Sequence, residues 1–149
     1  MHKRVLVLLT ASFLTLVASA QSQRKPKPCT KAQHEQVENE ASNLRSWDAL
    51  YASYRRYGHC DDVDAAEGYD ESIARILVDH WKTLPRLAQL IRRDKAFARF
   101  AGVGPTAGIN DLRKIKENAT HRCPAGLTDL CHRIAKQADS GLEENGQKP

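Results

Sequence analysis

Apolar residues recur at helical spacing through almost all of residues 29–138, and this period limits the fold more than any other feature of the chain. Steps of three and four residues return to one side of an α-helix, whereas a half-buried strand alternates every second residue. No segment alternates in that way over more than a few residues. The chain is therefore expected to be all-α, an irregular bundle of about five or six helices. The clearest stripe contains Tyr69, Ile73, Ile76, Leu77, His80 and Trp81.

The first helix is predicted over residues 31–57, because Thr30 can cap its start and Gly58 stands at the usual stop position. A break within residues 43–46 is the alternative to one continuous helix. The aromatic residues of this first predicted helix are expected to pack in the core, and a recognition surface is the alternative. These aromatic residues are Trp47, Tyr51, Tyr54 and Tyr57.

Further helices are predicted in the second half of the chain. A short one carries Leu87, Ala88, Leu90 and Ile91. Asn110 is expected to cap the start of the next helix, and Pro124 is expected to open the last helix. His80, beside Trp81 on the second stripe, is interpreted as a hydrogen-bonded core residue.

The amino-terminal segment predicts export. Residues 1–20 have a short basic start, an apolar run and a small-residue cleavage site that ends at Ala20, which is the pattern of a secretory signal peptide. The apolar run, about 13 residues, is too short for a transmembrane helix. Gln21 follows the cleavage site where a lipid-anchored protein would need Cys, so no membrane anchor is expected. We therefore predict a periplasmic or secreted protein.

The remaining chain is divided by composition. Residues 21–28 are polar, basic and proline-containing, and predict a flexible lead. Residues 29–138 are predicted to form a single helical domain. Residues 139–149 are polar and lack a pattern, and predict a disordered tail.

Four cysteines in an exported chain predict two disulfides. In a continuous helix from Pro124, Cys123 and Cys131 would lie about 12 Å apart, which is too far for a bond. Each is therefore expected to pair with Cys29 or Cys60. We favour Cys60–Cys123 with Cys29–Cys131, which would join both ends of the first helix to the last. Cys29–Cys123 with Cys60–Cys131 is the alternative.

Charge is unevenly distributed along the chain. Residues 30–71 hold 10 acidic and 4 basic residues, whereas residues 72–122 hold 4 acidic and 11 basic residues. Such a polarised surface would select a charged partner, although acidic and basic helices packed side by side would give the same pattern. The basic face would consist of Arg92, Arg93, Arg113 and Lys114. The acidic patch would contain Asp61, Asp62 and Asp64, which equally suit the start of a helix.

Charge and motifs exclude several functions. After removal of residues 1–20 the chain has 21 basic and 18 acidic residues. This excess of positive charge is too small to indicate a nucleic-acid-binding protein. No motif for a nucleophilic or zinc-dependent enzyme occurs. Zinc binding by His121, Cys123, Cys131 and His132 is not expected, because export would oxidise the thiols. No enzyme activity, metal or cofactor is therefore predicted. Asn118 begins a glycosylation sequon, which in a eukaryotic secretory pathway would predict an exposed site.

The start of the predicted domain is loosely similar to cysteine-containing helical modules of bacterial lysozyme inhibitors. The similarity comprises Cys29 and a polar helix that ends in Trp47, Asp48, Ala49, Leu50 and Tyr51. Those modules carry a second Cys further along the chain. This chain has Glu40 near that position instead, and its next cysteine is Cys60. We therefore do not assign it to that family.

These features favour a small exported binding protein that acts by contact with another envelope or secreted protein. An immunity protein or an inhibitor of a cell-envelope enzyme would suit the size and compartment. One alternative is a carrier of a small apolar ligand, held in a cavity lined by Leu77, Trp81, Leu87, Ile91 and Ile115. The other is an envelope stress chaperone.

Overall fold

The structure is a computed structural model that describes residues 28–60 and 63–148, except for the side chains of Val63 and Asp64. The predicted signal peptide and nearly all of the predicted lead lie outside these residues. Within them the fold is all-α and contains two disulfides, as predicted. The helices are α1 Lys31–Ala41, α2 Trp47–Tyr57, α3 Val63–Asp79, α4 Leu84–Arg93, α5 Phe97–Phe100, α6 Ile109–His121 and α7 Thr128–Glu144. Single 3₁₀ turns, Gly58–Cys60 and Trp81–Thr83, follow α2 and α3.

The predicted first helix is divided into α1 and α2, which confirms the alternative of a break. Thr30 caps α1 in a capping box with Gln33. After Ala41 the chain leaves the helix, and Ser46 begins α2 by accepting a hydrogen bond from the Ala49 amide at 3.2 Å. A new cap residue thus restarts the helix in another direction.

The apolar stripes meet in one continuous core. The predicted core residues of α3 and α4 are buried, as are Trp47 and Phe97. Tyr51 and Tyr54 pack against Phe97 with ring centroids 4.9 and 5.2 Å apart, which supports core packing for the aromatic residues of α2. Burial raises the pKa of the Tyr54 hydroxyl.

The prediction that His80 is a core residue is wrong. α3 ends at Asp79, and His80 has left the helix with φ −121° and ψ 34°. The helical spacing that placed His80 on the apolar stripe therefore no longer applies, and the residue is exposed. Trp81, next to it, is buried and donates from Nε1 to the Arg122 carbonyl oxygen at 2.7 Å.

The starts of α6 and α7 differ from the predictions. α6 begins at Ile109 after Gly108, so Asn110 lies inside the first turn and cannot be the cap. α7 begins at Thr128 rather than at Pro124, because residues 125 and 126 form a turn in which Gly126 has φ 77°. A positive φ of this kind is incompatible with a continuing right-handed helix.

The predicted disordered tail begins too early. α7 continues to Glu144, and Ala138, Gly141 and Leu142 are buried against the rest of the fold. Gly141 allows close approach to α6, since a Cβ there would lie 3.1 Å from the Leu112 side chain. Polar residues surround these few small and apolar residues, so the sequence of this segment shows no clear helical spacing and was interpreted as a disordered tail.

Both predicted disulfide pairings are wrong. The bonds are Cys29–Cys60, with Cα atoms 5.0 Å apart, and Cys123–Cys131, with Cα atoms 6.0 Å apart. The exclusion of Cys123–Cys131 assumed a continuous helix between the two residues. Because the turn at Gly126 folds the chain back before α7 begins, the two residues come within bonding distance.

Candidate functional site

The predicted acidic patch remains a prediction. Asp61 and Asp62 lie outside the described residues, and so does the side chain of Asp64. The backbone of Asp64 belongs to the first turn of α3.

The neighbouring residues Arg92 and Arg93 are directed to different sides of α4, as successive positions on a helix are. Arg92 lines a groove between α4 and α7. Arg93 acts on the other side, where its charge helps to lower the pKa of the Asp48 carboxyl on α2. The main cause of that lowered pKa is the hydrogen bond from Arg86, whose Nε lies 3.0 Å from Asp48 Oδ1.

Arg113 and Lys114 have contacts within their own part of the fold. Arg113 donates from Nη2 to Gln147 Oε1 at 2.8 Å. Lys114 Nζ lies 2.9 Å from Glu117 Oε2, and its hydrogen bond lowers the pKa of that carboxyl. Neither residue lines the groove that contains Arg92. Their place in a partner surface remains a prediction.

The groove beside Arg92 has a volume of about 310 Å³. Its apolar floor includes Ile91 from α4 and Leu130 from α7, which are 9% and 8% exposed. Three exposed cations line it, namely Arg92, Lys95 and Arg133. We call this surface, defined by the three cations and the floor of Ile91 and Leu130, the basic groove.

Local structure explains why the cations converge. Arg92 belongs to the last turn of α4, whereas Lys95 lies just beyond the helix, which ends at Arg93 and is followed by Asp94 in an extended conformation. Asp94 fixes the turn between α4 and α5, because its Oδ1 accepts from the amides of Ala96 and Phe97 at 3.1 and 3.3 Å. Arg133 is contributed by the second turn of α7.

The opposite end of the basic groove is held by the second disulfide. The turn that contains Gly126 and Leu127 lines the groove and leads into α7. Cys123 and Cys131 are bonded across this turn. The bond therefore restrains the backbone that forms one wall of the groove.

Positive charge predominates among the side chains that line the basic groove. In the described residues no acidic side chain forms an ion pair with Arg92, Lys95 or Arg133. Asp129 also lines the groove, which leaves an excess of positive charge. An apolar floor edged by unpaired cations can bind an acidic segment that also carries apolar side chains.

Sequence analysis found one cation of this groove and missed the other two. Arg92 lies in the predicted basic face, whereas Lys95 follows the end of α4 and reaches the groove through the turn held by Asp94, which no helical spacing indicates. Arg133 belongs to a separate helix, and only the packing of α7 beside α4 brings it to the groove.

The five residues predicted to line a ligand cavity are all buried. Trp81 borders a pocket near α6, and Ile91 borders the basic groove.

Asn118, the acceptor of the glycosylation sequon, is 1% exposed and donates to the Leu77 carbonyl oxygen at 3.3 Å. The exposed acceptor that the sequon would mark in a eukaryotic secretory pathway is therefore not found in the folded chain.

Comparison with known proteins gives no relative: no family model, no curated protein and no solved structure matches the chain. Among the described residues, no group of three or more His, Cys, Asp or Glu side chains is arranged to hold a metal ion. No helix in that part of the chain is both long and apolar enough to cross a membrane.

Proposed function

We propose that this chain is an exported binding protein and that its basic groove receives an acidic, partly apolar segment of another envelope or secreted protein. The observation that carries the proposal is the convergence of Arg92, Lys95 and Arg133 over an apolar floor, where no ion pair within the described residues involves them. The signal-peptide pattern and the two disulfides support export.

A direct test measures the binding of a fluorescein-labelled peptide of alternating Glu and Leu residues to the oxidised protein by fluorescence anisotropy. The variants Arg92→Glu and Arg133→Glu are each expected to weaken binding by about tenfold or more, because they place a repelling charge in the groove. The matched control is Lys31→Glu, which reverses an exposed charge at the start of α1, outside both the groove and the predicted basic face, and should leave the affinity unchanged. Equal weakening by all three variants would mean that only net charge matters and would contradict a specific groove.

The natural partner can be sought with the same variants. The oxidised protein, immobilised, is incubated with envelope and secreted fractions of its own source, and retained proteins are identified by mass spectrometry. A stoichiometric protein that is retained by the wild type and by Lys31→Glu, but lost with Arg92→Glu, is the expected result. Retention that no groove variant alters would count against the proposal.

A further inference from the structure

A second pocket lies beside the basic groove. It has a volume of about 270 Å³, and its lining includes Phe100 from α5, Val103 after α5 and Gln137 from α7. We call it the Phe100 pocket. The two spaces are neighbours, because Ala98 lines the basic groove and Phe100, in the same short helix, lines the pocket. A segment bound in the groove therefore ends close to the pocket.

The basic groove and the Phe100 pocket follow one side of α7. Leu130 and Arg133 line the groove, and Gln137 lines the pocket. Steps of three and four residues keep these side chains on the same side of the helix. At a rise of about 1.5 Å per residue, Leu130 and Gln137 are separated by about 10 Å along the helix axis. A segment that lies along α7 can therefore place one side chain in the groove and another in the pocket.

The Phe100 pocket suits an apolar side chain. Its lining includes Val103, which is 8% exposed, and the partly exposed ring of Phe100. Its two charged lining residues, Asp70 and Arg99, have opposite signs. Asp70 Oδ2 also accepts a hydrogen bond from Thr106 Oγ1 at 2.7 Å. The lining of the pocket therefore has no excess of charge, in contrast to the basic groove with its three cations.

The walls of both spaces give an extended peptide little to pair with. The part of the chain that the structure describes contains no strand, so it has no sheet edge to which a peptide strand could add. In the irregular wall of the Phe100 pocket, the Val103 amide already donates to Gln137 Oε1 at 3.3 Å, and Pro105 has no amide hydrogen. An extended peptide would bury backbone groups without partners here, whereas a helix bonds its backbone groups internally.

We propose that the segment received by the basic groove is an amphipathic α-helix that lies along α7. This inference rests on the proposed function and specifies the partner. Acidic side chains of the helix face Arg92, Lys95 and Arg133. An apolar side chain two turns further along the helix enters the Phe100 pocket, because seven residues of helix cover about 10 Å and return to the same side. An extended segment covers that distance in about three residues, so the spacing of the apolar residues distinguishes the two conformations.

Three fluorescein-labelled peptides of about 18 residues test the conformation, since that length permits a stable helix. The first has two Leu residues seven positions apart, with Glu clustered about one Leu, Gln about the other and Ala between them. The second has Pro in place of the central Ala, which breaks the helix. The third has the same composition with the Leu residues three positions apart. By fluorescence anisotropy with the oxidised protein, the first should bind about tenfold more tightly than either of the others.

Photo-cross-linking tests the position of the helix. In the first peptide, the Leu outside the Glu cluster is replaced by benzoylphenylalanine, and the residues labelled on irradiation are identified by mass spectrometry. Labelling within residues 99–105, which contribute one wall of the Phe100 pocket, is expected. Arg92→Glu should reduce the labelling about tenfold, because it repels the acidic end of the peptide. The control Lys31→Glu, at the start of α1, should label as the wild type does.

The results distinguish failure of this inference from failure of the proposed function. If the proline peptide, or the peptide with Leu three positions apart, binds as tightly as the first while Arg92→Glu still weakens binding, the groove remains and the helix is overturned. Labelling outside residues 99–105 overturns the use of the Phe100 pocket. If neither these peptides nor the alternating Glu and Leu peptide bind, the proposed function fails and this inference fails with it.

Discussion

At the scale of single residues, the buried Ser72 on α3 holds the interrupted backbone between α1 and α2. Its hydroxyl donates to the Ala41 carbonyl oxygen at 2.5 Å and accepts from the Leu44 amide at 3.1 Å. The last carbonyl groups of a helix have no hydrogen-bond partner within that helix. The backbone amides of the irregular segment that follows also need acceptors from elsewhere. One side chain of another helix supplies both missing partners, so the break depends on tertiary structure.

Replacing this hydroxyl should therefore be costly. Ser72→Ala is expected to lower the free energy of unfolding by about 1–3 kcal/mol, because it leaves a carbonyl and an amide without their partner. Urea unfolding followed by circular dichroism measures the effect. Ser140→Ala, an exposed serine of α7, is the matched control and should change stability by less than about 0.5 kcal/mol. Equal stability of the two variants would refute this role for Ser72.

Of the cations in the basic groove, only Arg92 could be predicted from the sequence. Lys95 lies in a turn beyond the end of α4, where helical spacing does not apply. Arg133 reaches the groove from α7, and no local pattern in the sequence indicates that approach.

At the scale of elements, periodicity predicted the helices better than cap residues predicted their ends. The α3 stripe through Leu77 and the apolar side of α4 are buried as expected. The prediction that the last helix begins at Pro124 failed because proline also suits the turn before a helix. The glycine with positive φ in this turn, Gly126, lies two residues later. The prediction for His80 failed because the stripe was continued past Asp79, where α3 ends.

The packing of α1 against α3 depends on the absence of a side chain at Gly68. A Cβ at this position would lie 2.9 Å from Ala41 Cβ and 3.1 Å from the Ser42 amide nitrogen, the first of which is closer than packed carbon atoms come. Glycine inside a helix is intrinsically unfavourable. Its presence within α3 is therefore explained by close contact with the end of α1.

Gly68→Ala tests this contact. Overpacking should cost about 1–3 kcal/mol, and the better helix propensity of alanine offsets about 1 kcal/mol of this, which leaves a net loss of about 1 kcal/mol. The control is Gly108→Ala, where the added Cβ would meet only Asp111 Oδ2 at 3.7 Å. Thermal unfolding of both variants measures the difference. A more stable Gly68→Ala variant would show that α1 and α3 are not closely packed there.

At the scale of the whole molecule, the two disulfides each restrain one part of the chain. Cys29–Cys60 connects the start of α1 to the turn after α2, with a sequence separation of 31. Cys123–Cys131 closes a separation of 8 around the wall of the basic groove. Neither bond joins the amino-terminal helices to α7, so that association depends on noncovalent contacts.

This division predicts different effects for removal of the two bonds. In the chain-entropy model the longer loop restricts the unfolded chain more, so replacing Cys29 and Cys60 by Ala should cost about 1 kcal/mol more stability than replacing Cys123 and Cys131. Peptide binding in the basic groove should show the reverse order, because only Cys123–Cys131 restrains a groove wall. Urea unfolding and anisotropy with the Glu and Leu peptide measure the two quantities on the same variants. If both properties changed in the same order, the longer bond would also support the groove, and the separation of stability from binding would be wrong.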